Sequence, residues 1–379
     1  MKLEIDKETL LQGIGRTQGV IDRRSHTPVL SHCLLEATAD QLKISATDYE
    51  ISFRGFYPAQ VLEEGGLTVP AMNFFNILKE LPPGVISLES TDNNSLRVQI
   101  GDVRYQFMGL GPDNFPPLPV ADDGAFQPIN GAVLQAMLEK TIFSVSLDDL
   151  QPHLMGVYME KVAETGQLRF VSSDGHRLSL IDREVEAMQH FEMEKGIIIP
   201  RKGVVEMLRL LENGDCALNV EKKNLVLQQG QDYLFIRLLD KNFPDYRRIL
   251  PDSAKLQLMV ARKPFLEILK RMSLLSSERF KGVVLTVSDG WLDFRYHNPE
   301  IGGGEERLPL SINNLAAGDE EDGLALPFEI SYNARYLIEP LNVMEGEEVI
   351  LELTAKKKPL CLREANDPHY LSIVMPMDL

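Results

Sequence analysis

A chain of 379 residues, 44% of them hydrophobic, is long enough for about three cores of ordinary size, and no uninterrupted apolar run approaches the length needed to cross a bilayer. Its formal net charge of −17 argues at first sight against nucleic acid, whose phosphates favour basic surfaces. The three scattered cysteines, Cys33, Cys216 and Cys361, form neither a disulfide framework nor a metal cluster, and no basic-then-apolar leader opens the chain, so the expected setting is a reducing cytoplasm.

In chain order, a helix is expected over 7–19. Val69-Pro70 then opens a second helical run over 71–81 that ends at Leu81-Pro82-Pro83-Gly84. Alternating strands follow at 85–89 and, after the Asn93-Asn94 turn, at 96–100. A Pro-rich stretch at 112–119 leads into the acidic link Ala121-Asp122-Asp123-Gly124. The pattern then starts again. A helix over 131–145 is followed by a strand at 168–171 after Glu164-Thr165-Gly166. Ile199-Pro200 opens a helix over 201–212 that stops at Asn213-Gly214, with Cys216 a small apolar filler beyond it. A strand at 233–238 precedes the second link, Leu250-Pro251-Asp252-Ser253. The third passage has a helix over 262–274, a strand at 292–296 after Ser288-Asp289-Gly290, and Ile330-Ser331 opening a helix over 333–344. That helix ends at Met344-Glu345-Gly346, before an alternating strand at 349–353.

The openings at Val69, Ile199 and Ile330 lie 130 and 131 residues apart, and the other helix recurs in step. Two phased elements repeating together mean three copies of one domain. The expected fold is α+β, with two helices and antiparallel sheets in each of the domains 1–124, 125–253 and 254–379. Within the third, 299–327 contains Gly302-Gly303-Gly304 and the acidic run 318–323, and reads as a mobile acidic loop without chemistry.

Charge is unevenly shared. The six repeated helices hold twelve Lys and Arg against seven Asp and Glu, a net of +5 that leaves −22 on the rest of the chain. This implies one surface that faces phosphate and another that repels it, although cations on helices also simply solvate outer faces. In 201–212, Val204, Leu208 and Leu211 share the expected buried stripe, while Lys202 and Arg209 share another with Glu206 between them. In 262–274, Phe265, Leu269 and Met272 form the buried stripe opposite Lys263 and Lys270.

Catalytic signals are poor. The chain has no phosphate-cradling Gly-Lys-Ser/Thr loop, and its seven histidines never pair at metal-ligand spacing. Asp174-Gly175-His176 can be drawn as an acid/base pair, the basis of an alternative reading as a three-lobed enzyme. The plainer reading is a turn in which Asp174 caps backbone N–H groups.

Ser172-Ser173-Asp174-Gly175-His176-Arg177-Leu178, Ile199-Pro200-Arg201-Lys202-Gly203 and Asn242-Phe243-Pro244-Asp245-Tyr246-Arg247-Arg248-Ile249-Leu250-Pro251 closely resemble signatures of the bacterial sliding clamp, the beta subunit of the DNA polymerase III holoenzyme. Val374-Met375-Pro376-Met377-Asp378-Leu379 resembles its C-terminal tail, and Thr47-Asp48-Tyr49-Glu50 the equivalent in the first copy. The likeness spans the chain. It implies a non-catalytic processivity factor: a head-to-tail homodimer whose six domains close a ring around duplex DNA, with twelve helices lining the hole and sheets outside. It implies no cofactor or metal. Expected partners are duplex DNA held topologically rather than by sequence, the replicative polymerase, the clamp loader and other clamp-binding-motif proteins. No membrane is involved, and the expected place is the cytoplasm, at the nucleoid. A scaffold that binds acidic or apolar partners without DNA is the other alternative.

The resemblance also carries residues over. Its partner-peptide cleft maps to Leu154, Ser173, Gly175, His176, Arg177, Leu178, Pro244, Arg248 and Ile249, with Phe280, Asn333 and Tyr336 from the third copy and Ile373, Val374, Met375, Pro376 and Met377 from the tail. Lys357 and Pro359 at the rim, and Asp378 where a basic residue is common, depart from the family pattern. Arg24 matches a DNA-touching loop arginine, and Lys79, Arg201, Lys202 and Arg209 are expected to face the bore. Asp148-Asp149 is acidic where the family offers an amide, and is left out. The dimer interface is expected at Tyr105 and Phe107 against Leu274 and Leu275, with Arg104 pairing with Glu305 or Glu306.

Overall fold

The computed structural model describes residues 1–121, 126–186, 193, 195–211, 214–221, 223–251, 254–277, 281–315 and 324–378, with the backbone alone at 313–315. The expected domain junctions at 124/125 and 253/254 fall on or against residues outside that set, and Phe280 lies outside it.

The first repeat runs β1 (Lys2–Asp6), α1 (Lys7–Thr17), β2 (His32–Thr38), β3 (Gln41–Thr47), β4 (Ile51–Pro58), β5 (Gln60–Glu63), β6 (Gly65–Pro70), α2 (Ala71–Glu80), β7 (Val85–Ser90), β8 (Ser95–Ile100) and β9 (Val103–Met108). The second runs β10 (Gln127–Asn130), α3 (Gly131–Ile142), β11 (Gly156–Lys161), β12 (Leu168–Ser173), β13 (Arg177–Arg183), β14 (Ile197–Pro200), α4 (Arg201–Leu210), β15 (Asp215–Glu221), β16 (Asn224–Gln229) and β17 (Asp232–Arg237). The third runs β18 (Leu256–Ala261), α5 (Arg262–Ser273), β19 (Gly282–Ser288), β20 (Trp291–Asn298), β21 (Gly302–Leu315), β22 (Phe328–Asn333), α6 (Ala334–Val343), β23 (Glu348–Leu353), β24 (Leu360–Glu364) and β25 (Asp367–Val374). Apart from the short β5, the order is the same three times. Each expected helix forms and stops slightly early; α2 ends at Glu80 because Leu81, at φ −70° and ψ 147°, precedes Pro82, whose ring disfavours the helical region for it.

By contacts the chain falls into two units. One takes in Met1–Gln135 and Lys202–Leu239 and holds a five-stranded sheet, β5-β1-β7-β8-β9, and an eight-stranded sheet, β10-β15-β16-β17-β4-β3-β2-β6. There Asp6 caps α1, accepting from the N–H groups of Glu8 and Thr9 at 3.0 and 3.1 Å, and α1 packs on α2 through buried Leu10, Ile14, Phe74 and Leu78. The other takes in Ala136–Gln189, Met193–Arg201 and Asp240–Leu379 and holds a twelve-stranded sheet, β14-β11-β12-β13-β25-β24-β23-β18-β21-β20-β19-β22. Its α5 and α6 pack through Phe265, Leu269, Met272, Leu337 and Leu341, so the stripe expected on α5 is the buried one.

Each large sheet contains a seam between repeats, and the two seams are alike. β4 pairs antiparallel with β17, Ile51 opposite Ile236 and Gly55 opposite Asp232. β13 pairs antiparallel with β25, Arg177 opposite Val374 and Ile181 opposite Tyr370. In both, the third strand after a repeat's first helix meets the last strand of the following repeat. The third repeat's counterpart of β4 and β13 is β21.

β21 overturns the expectation of a mobile loop over 299–327. Residues 302–309 pair with β20, and 310–315 pair with β18. Gly303 is there for proximity, since a Cβ on it would lie 2.6 Å from the Tyr296 carbonyl oxygen, and Gly302 for its φ of +127°. Of its acidic residues, Glu306 shares the face of buried Leu308 and Leu310 and takes the Nε–H of Arg271 from α5 at 2.9 Å. Residues 316–323, with the rest of the acidic run, lie outside the described residues.

A buried ionic cluster ties α3 to the β24–β25 hairpin. Lys140 Nζ donates to Glu364 at 3.0 Å and Asp367 at 2.9 Å, Arg183 also holds Asp367, and the ammonium sits 4.9 Å from the Tyr370 ring centre. Burial alone would raise the Asp367 pKa, but hydrogen bonds from Arg183 and Lys140 outweigh it and hold the carboxyl below its usual range. A depressed carboxyl contributes stability above its unfolded pKa, and that contribution disappears as pH falls through the folded value. Lys140→Met strands the buried Glu364 carboxylate, and a loss of about 3 kcal/mol or more is expected in urea unfolding at neutral pH. At acid pH, where Asp367 is protonated, the gap between variant and parent should narrow.

Candidate functional site

The seam between β13 and β25 carries most of the expected cleft, all of it within one unit. The turn before β13 is built by its own side chains. Gly175 sits at φ +87°, open to glycine but strained for other residues, and the Asp174 carboxylate accepts from the N–H groups of His176 and Arg177 at 3.0 and 3.1 Å. Ser173 Oγ accepts from Gly175 N–H at 3.1 Å and donates to the Arg177 carbonyl at 2.7 Å. Asp174 is therefore a turn cap, with its other oxygen taken by Arg177 Nε at 2.9 Å. It does not orient His176 as a base, and nothing here supports the enzyme reading.

Arg177 works as a clasp. Its buried guanidinium lies 4.5 Å from the Tyr336 ring centre, pairs with Glu339 of α6 and donates to the Phe143 carbonyl. The exposed His176 ring stacks on Tyr336, with centres 6.5 Å apart and planes 20° apart. Asn333 spends its side-chain oxygen capping α6, accepting from Arg335 N–H at 3.1 Å. Glu339 was missed by sequence reading; it lies a helical turn beyond Arg335, which it also binds at 2.9 Å.

The tail crosses this surface as an extended strand. Met375 N–H donates to the His176 carbonyl at 2.9 Å, and Met377 N–H donates to the Ser331 carbonyl at 2.8 Å. Both methionines keep about 40% of their surface open, at 41% and 39%. Behind them, Leu178 and Ile373 are fully enclosed in a core cluster with Val171, Leu180, Tyr246, Cys361 and Leu371. These, with buried Leu154 and Val374, back the surface rather than line it. Tyr246 anchors the 3-10 turn Tyr246–Ile249 that presents Arg248 and Ile249, and Pro244 stands just before that turn. Burial pushes its hydroxyl pKa up to about 12, with Arg169's hydrogen bond opposing and Glu160's reinforcing the rise.

Two depressions lie in this unit, the first of them beside Met375 of the tail. One, of about 540 Å³, is lined by Arg248, Ile249, Pro359 and Met375 among others. The other, of about 790 Å³, is lined by Asp174, Arg177, Asn333 and Tyr336 together with Phe143 and Arg201. Of the expected cleft residues, Arg248, Ile249 and Met375 line the first and Arg177, Asn333 and Tyr336 the second.

The expected bore cations are all exposed: Arg24 in a turn held by Asp22, Lys79 near the Phe75 ring, and Arg201, Lys202 and Arg209 on α4. Two are already paired within the chain, Lys202 with Asp48 and Arg209 with Glu206 at 2.6 Å. The buried face of α4 differs from the expected stripe. Val204 and Leu211 are buried but Leu208 is half-exposed, and Gly203, Glu206 and Met207 face inward. Gly203 seats the helix tightly on Ile236, where a Cβ would meet the side chain at 2.5 Å, and this rotates the face. Burial raises the Glu206 pKa, countered by Arg209 and Lys202.

At the expected interface, Arg104, Tyr105 and Leu274 are exposed, while Phe107 and Leu275 are half-buried, Phe107 edge-on to Phe74 at 5.2 Å. Glu306 is already bound by Arg271, which leaves Glu305 as the open carboxylate for Arg104. The three thiols are buried and pushed up to about 12, 11 and 12 for Cys33, Cys216 and Cys361, so none is a poised nucleophile. No helix among the described residues is long and apolar enough to cross a membrane.

Family models described as the N-terminal, central and C-terminal domains of the DNA polymerase III beta subunit match residues 1–119, 128–245 and 247–378. Among curated relatives, the beta sliding clamp of Caulobacter vibrioides is 33% identical and that of Pseudomonas putida 31% identical, each over the whole of both chains. Among solved structures, the sliding clamp (DNA polymerase III subunit beta) of Bartonella birtlesii bound to griselimycin matches with a TM-score of 0.92 at 27% identity. The DNA polymerase III subunit beta of Pseudomonas aeruginosa matches with a TM-score of 0.90 at 30% identity, and both comparisons cover the full length of each chain.

Proposed function

This chain belongs to the DNA polymerase III beta subunit family, and on that premise we propose how its surfaces divide the work of a sliding clamp. It is a processivity factor with a three-domain DNA-clamp fold and not an enzyme. Two copies join head to tail into a closed ring around duplex DNA, with domain limits at 1–124, 125–253 and 254–379.

The observation that carries the ring is the repeated seam. β4 meets β17, and β13 meets β25. By the same rule β21 calls for the last strand of a further first repeat, which is β9. Among the described residues, β9 pairs only with β8, and 302–309 of β21 pair only with β20, so each offers one open edge. An exposed edge bearing Val103, Tyr105 and Met108 invites strand addition unless it is covered. A second copy covers it, and the contact is heterologous, the kind that closes into a ring when the rotation permits.

The helices supply Lys79, Arg201, Lys202 and Arg209 to the bore and the turn after α1 supplies Arg24, where modest positive charge meets phosphate without reading bases. Internal pairing of Lys202 and Arg209 tempers that charge, which suits sliding over gripping. The acidic remainder of the chain discourages duplex outside the hole. The cleft along the tail takes short apolar peptides of the replicative polymerase, the clamp loader and other clamp-binding proteins, in the cytoplasm at the nucleoid.

Loading onto nicked circular DNA, then linearising, tests the reading. A clamp stays on the circle and falls from the line; equal retention on both forms overturns it. Changing Arg24, Lys202 and Arg209 to Glu should slow loading and flatten its salt dependence, because fewer counterions are released, while the dimer persists. Unaltered loading across a salt series would remove these residues from the bore.

A further inference from the structure

The chain carries a net charge of −17, yet the mouth of its apolar pocket is basic. The hairpin between β23 and β24 presents Lys356, Lys357 and Lys358 in succession, in a turn closed by Lys358 N–H to the Ala355 carbonyl at 3.0 Å. Lys357 and Lys358 are exposed and line the 540 Å³ pocket, as does Lys255 from the start of β18. The fourth cation of the lining, Arg248, is offset by Asp245 at 3.0 Å. Among the described residues, no carboxylate lines this pocket. Its floor is Ile249, Leu250, Pro251, Pro359 and Met375.

An apolar floor under a ring of ammonium groups is matched by a peptide with an aliphatic anchor and carboxylates beside it. We propose that this cleft selects partner segments whose apolar anchor is flanked by Asp or Glu, and that Lys357 and Lys358 do the selecting. The inference rests on the cleft being the partner-peptide site. Lysine ammonium groups are flexible point charges without the fixed fork of arginine, so they accept carboxylates at more than one spacing. Charge on an exposed rim acts on encounter and on discrimination between partners more than on the anchor's own affinity. A nucleic-acid strand would use the lysines but leave the apolar floor unfilled, and for that reason a peptide is the better occupant.

The test uses the full-length protein and two labelled synthetic peptides of one sequence, an adjacent Leu pair flanked by two Asp in one and two Asn in the other. In fluorescence anisotropy the acidic peptide should bind roughly five- to tenfold tighter at low salt, from about two exposed charge pairs. That preference should fade towards unity at about 1 M salt. In Lys357→Gln/Lys358→Gln it should fall below about twofold, with the Asn peptide's affinity unchanged, since only screened rim charges are removed. Equal binding of both peptides to the parent protein overturns the charge selection and leaves the cleft reading standing. Failure of both peptides to bind, or undiminished binding after loss of the tail methionines, overturns the cleft reading itself. If a short single-stranded oligonucleotide loses affinity in the double variant while the acidic peptide does not, the lysines serve nucleic acid and the proposal falls.

Discussion

Replacing Leu274 by Ala and Leu275 by Lys should convert the dimer to monomers that remain folded. Leu274 stands at the C-terminal end of α5 with 82% of its surface open, an uneconomical place for a large aliphatic side chain unless another molecule covers it. Leu275 is fixed by its backbone, since Tyr296 Oη and Asn298 Nδ2 both donate to its carbonyl, at 2.9 and 3.0 Å. New side chains here therefore leave the local fold in place while removing apolar contact and placing a charge where the interface excludes water. Truncating anchors at the centre of an interface commonly costs about 2 kcal/mol or more each, enough to shift dissociation by a factor of a thousand when two are lost. Losing an Arg104–Glu305 pair should matter far less, about 0–1 kcal/mol, because both groups are exposed. Sedimentation of the double variant distinguishes these. A persistent dimer places the interface elsewhere, and a Tyr105→Glu variant on the opposing edge should dissociate in parallel if the two strands meet.

Much of this was legible because the repeats are helical at matching phases, and helices announce themselves over short windows. The stripe of Phe265, Leu269 and Met272 needs only local periodicity. The seams do not: β4 and β17 lie far apart in sequence, and nothing local in 51–55 names 232–236 as its partner. β21 was hidden for a different reason. Its glycines and glutamates have the composition of a linker, while the close approach of Gly303 to Tyr296 and the pairing of Glu306 with Arg271 depend on neighbours that the sequence does not specify. The same limit explains α4, whose buried face is set by how deeply Gly203 lets it settle on Ile236. At the cleft, recognisable motifs located the turn and the tail. They did not separate side chains that line the surface from Leu178 and Ile373, which hold it up from behind.

Removing Met375 through Leu379 should abolish binding of polymerase and loader peptides and leave the dimer intact. Within the described part of that segment, the tail is held by two backbone hydrogen bonds, to His176 and Ser331, and its methionines are half-open. The deletion stops after Val374, which still pairs with Arg177, so β25 and the core behind it keep their partners. Chain ends of this kind can be shortened with little loss of core. What goes is the adaptable thioether surface on which an aliphatic or aromatic anchor rests. With two such contacts gone, each worth about 2 kcal/mol, affinity should fall roughly a thousandfold. His176→Ala removes an exposed ring stacked on Tyr336 and should weaken the same peptides by a smaller factor, about three- to tenfold. No hydrolytic rate should change with it, since Asp174 is occupied in capping the turn. Peptide anisotropy and dimer mass, taken on one sample, separate the outcomes. Parent-like affinity in the truncated dimer would remove the tail from the binding site, and dissociation of the dimer would make the tail a structural element of the ring.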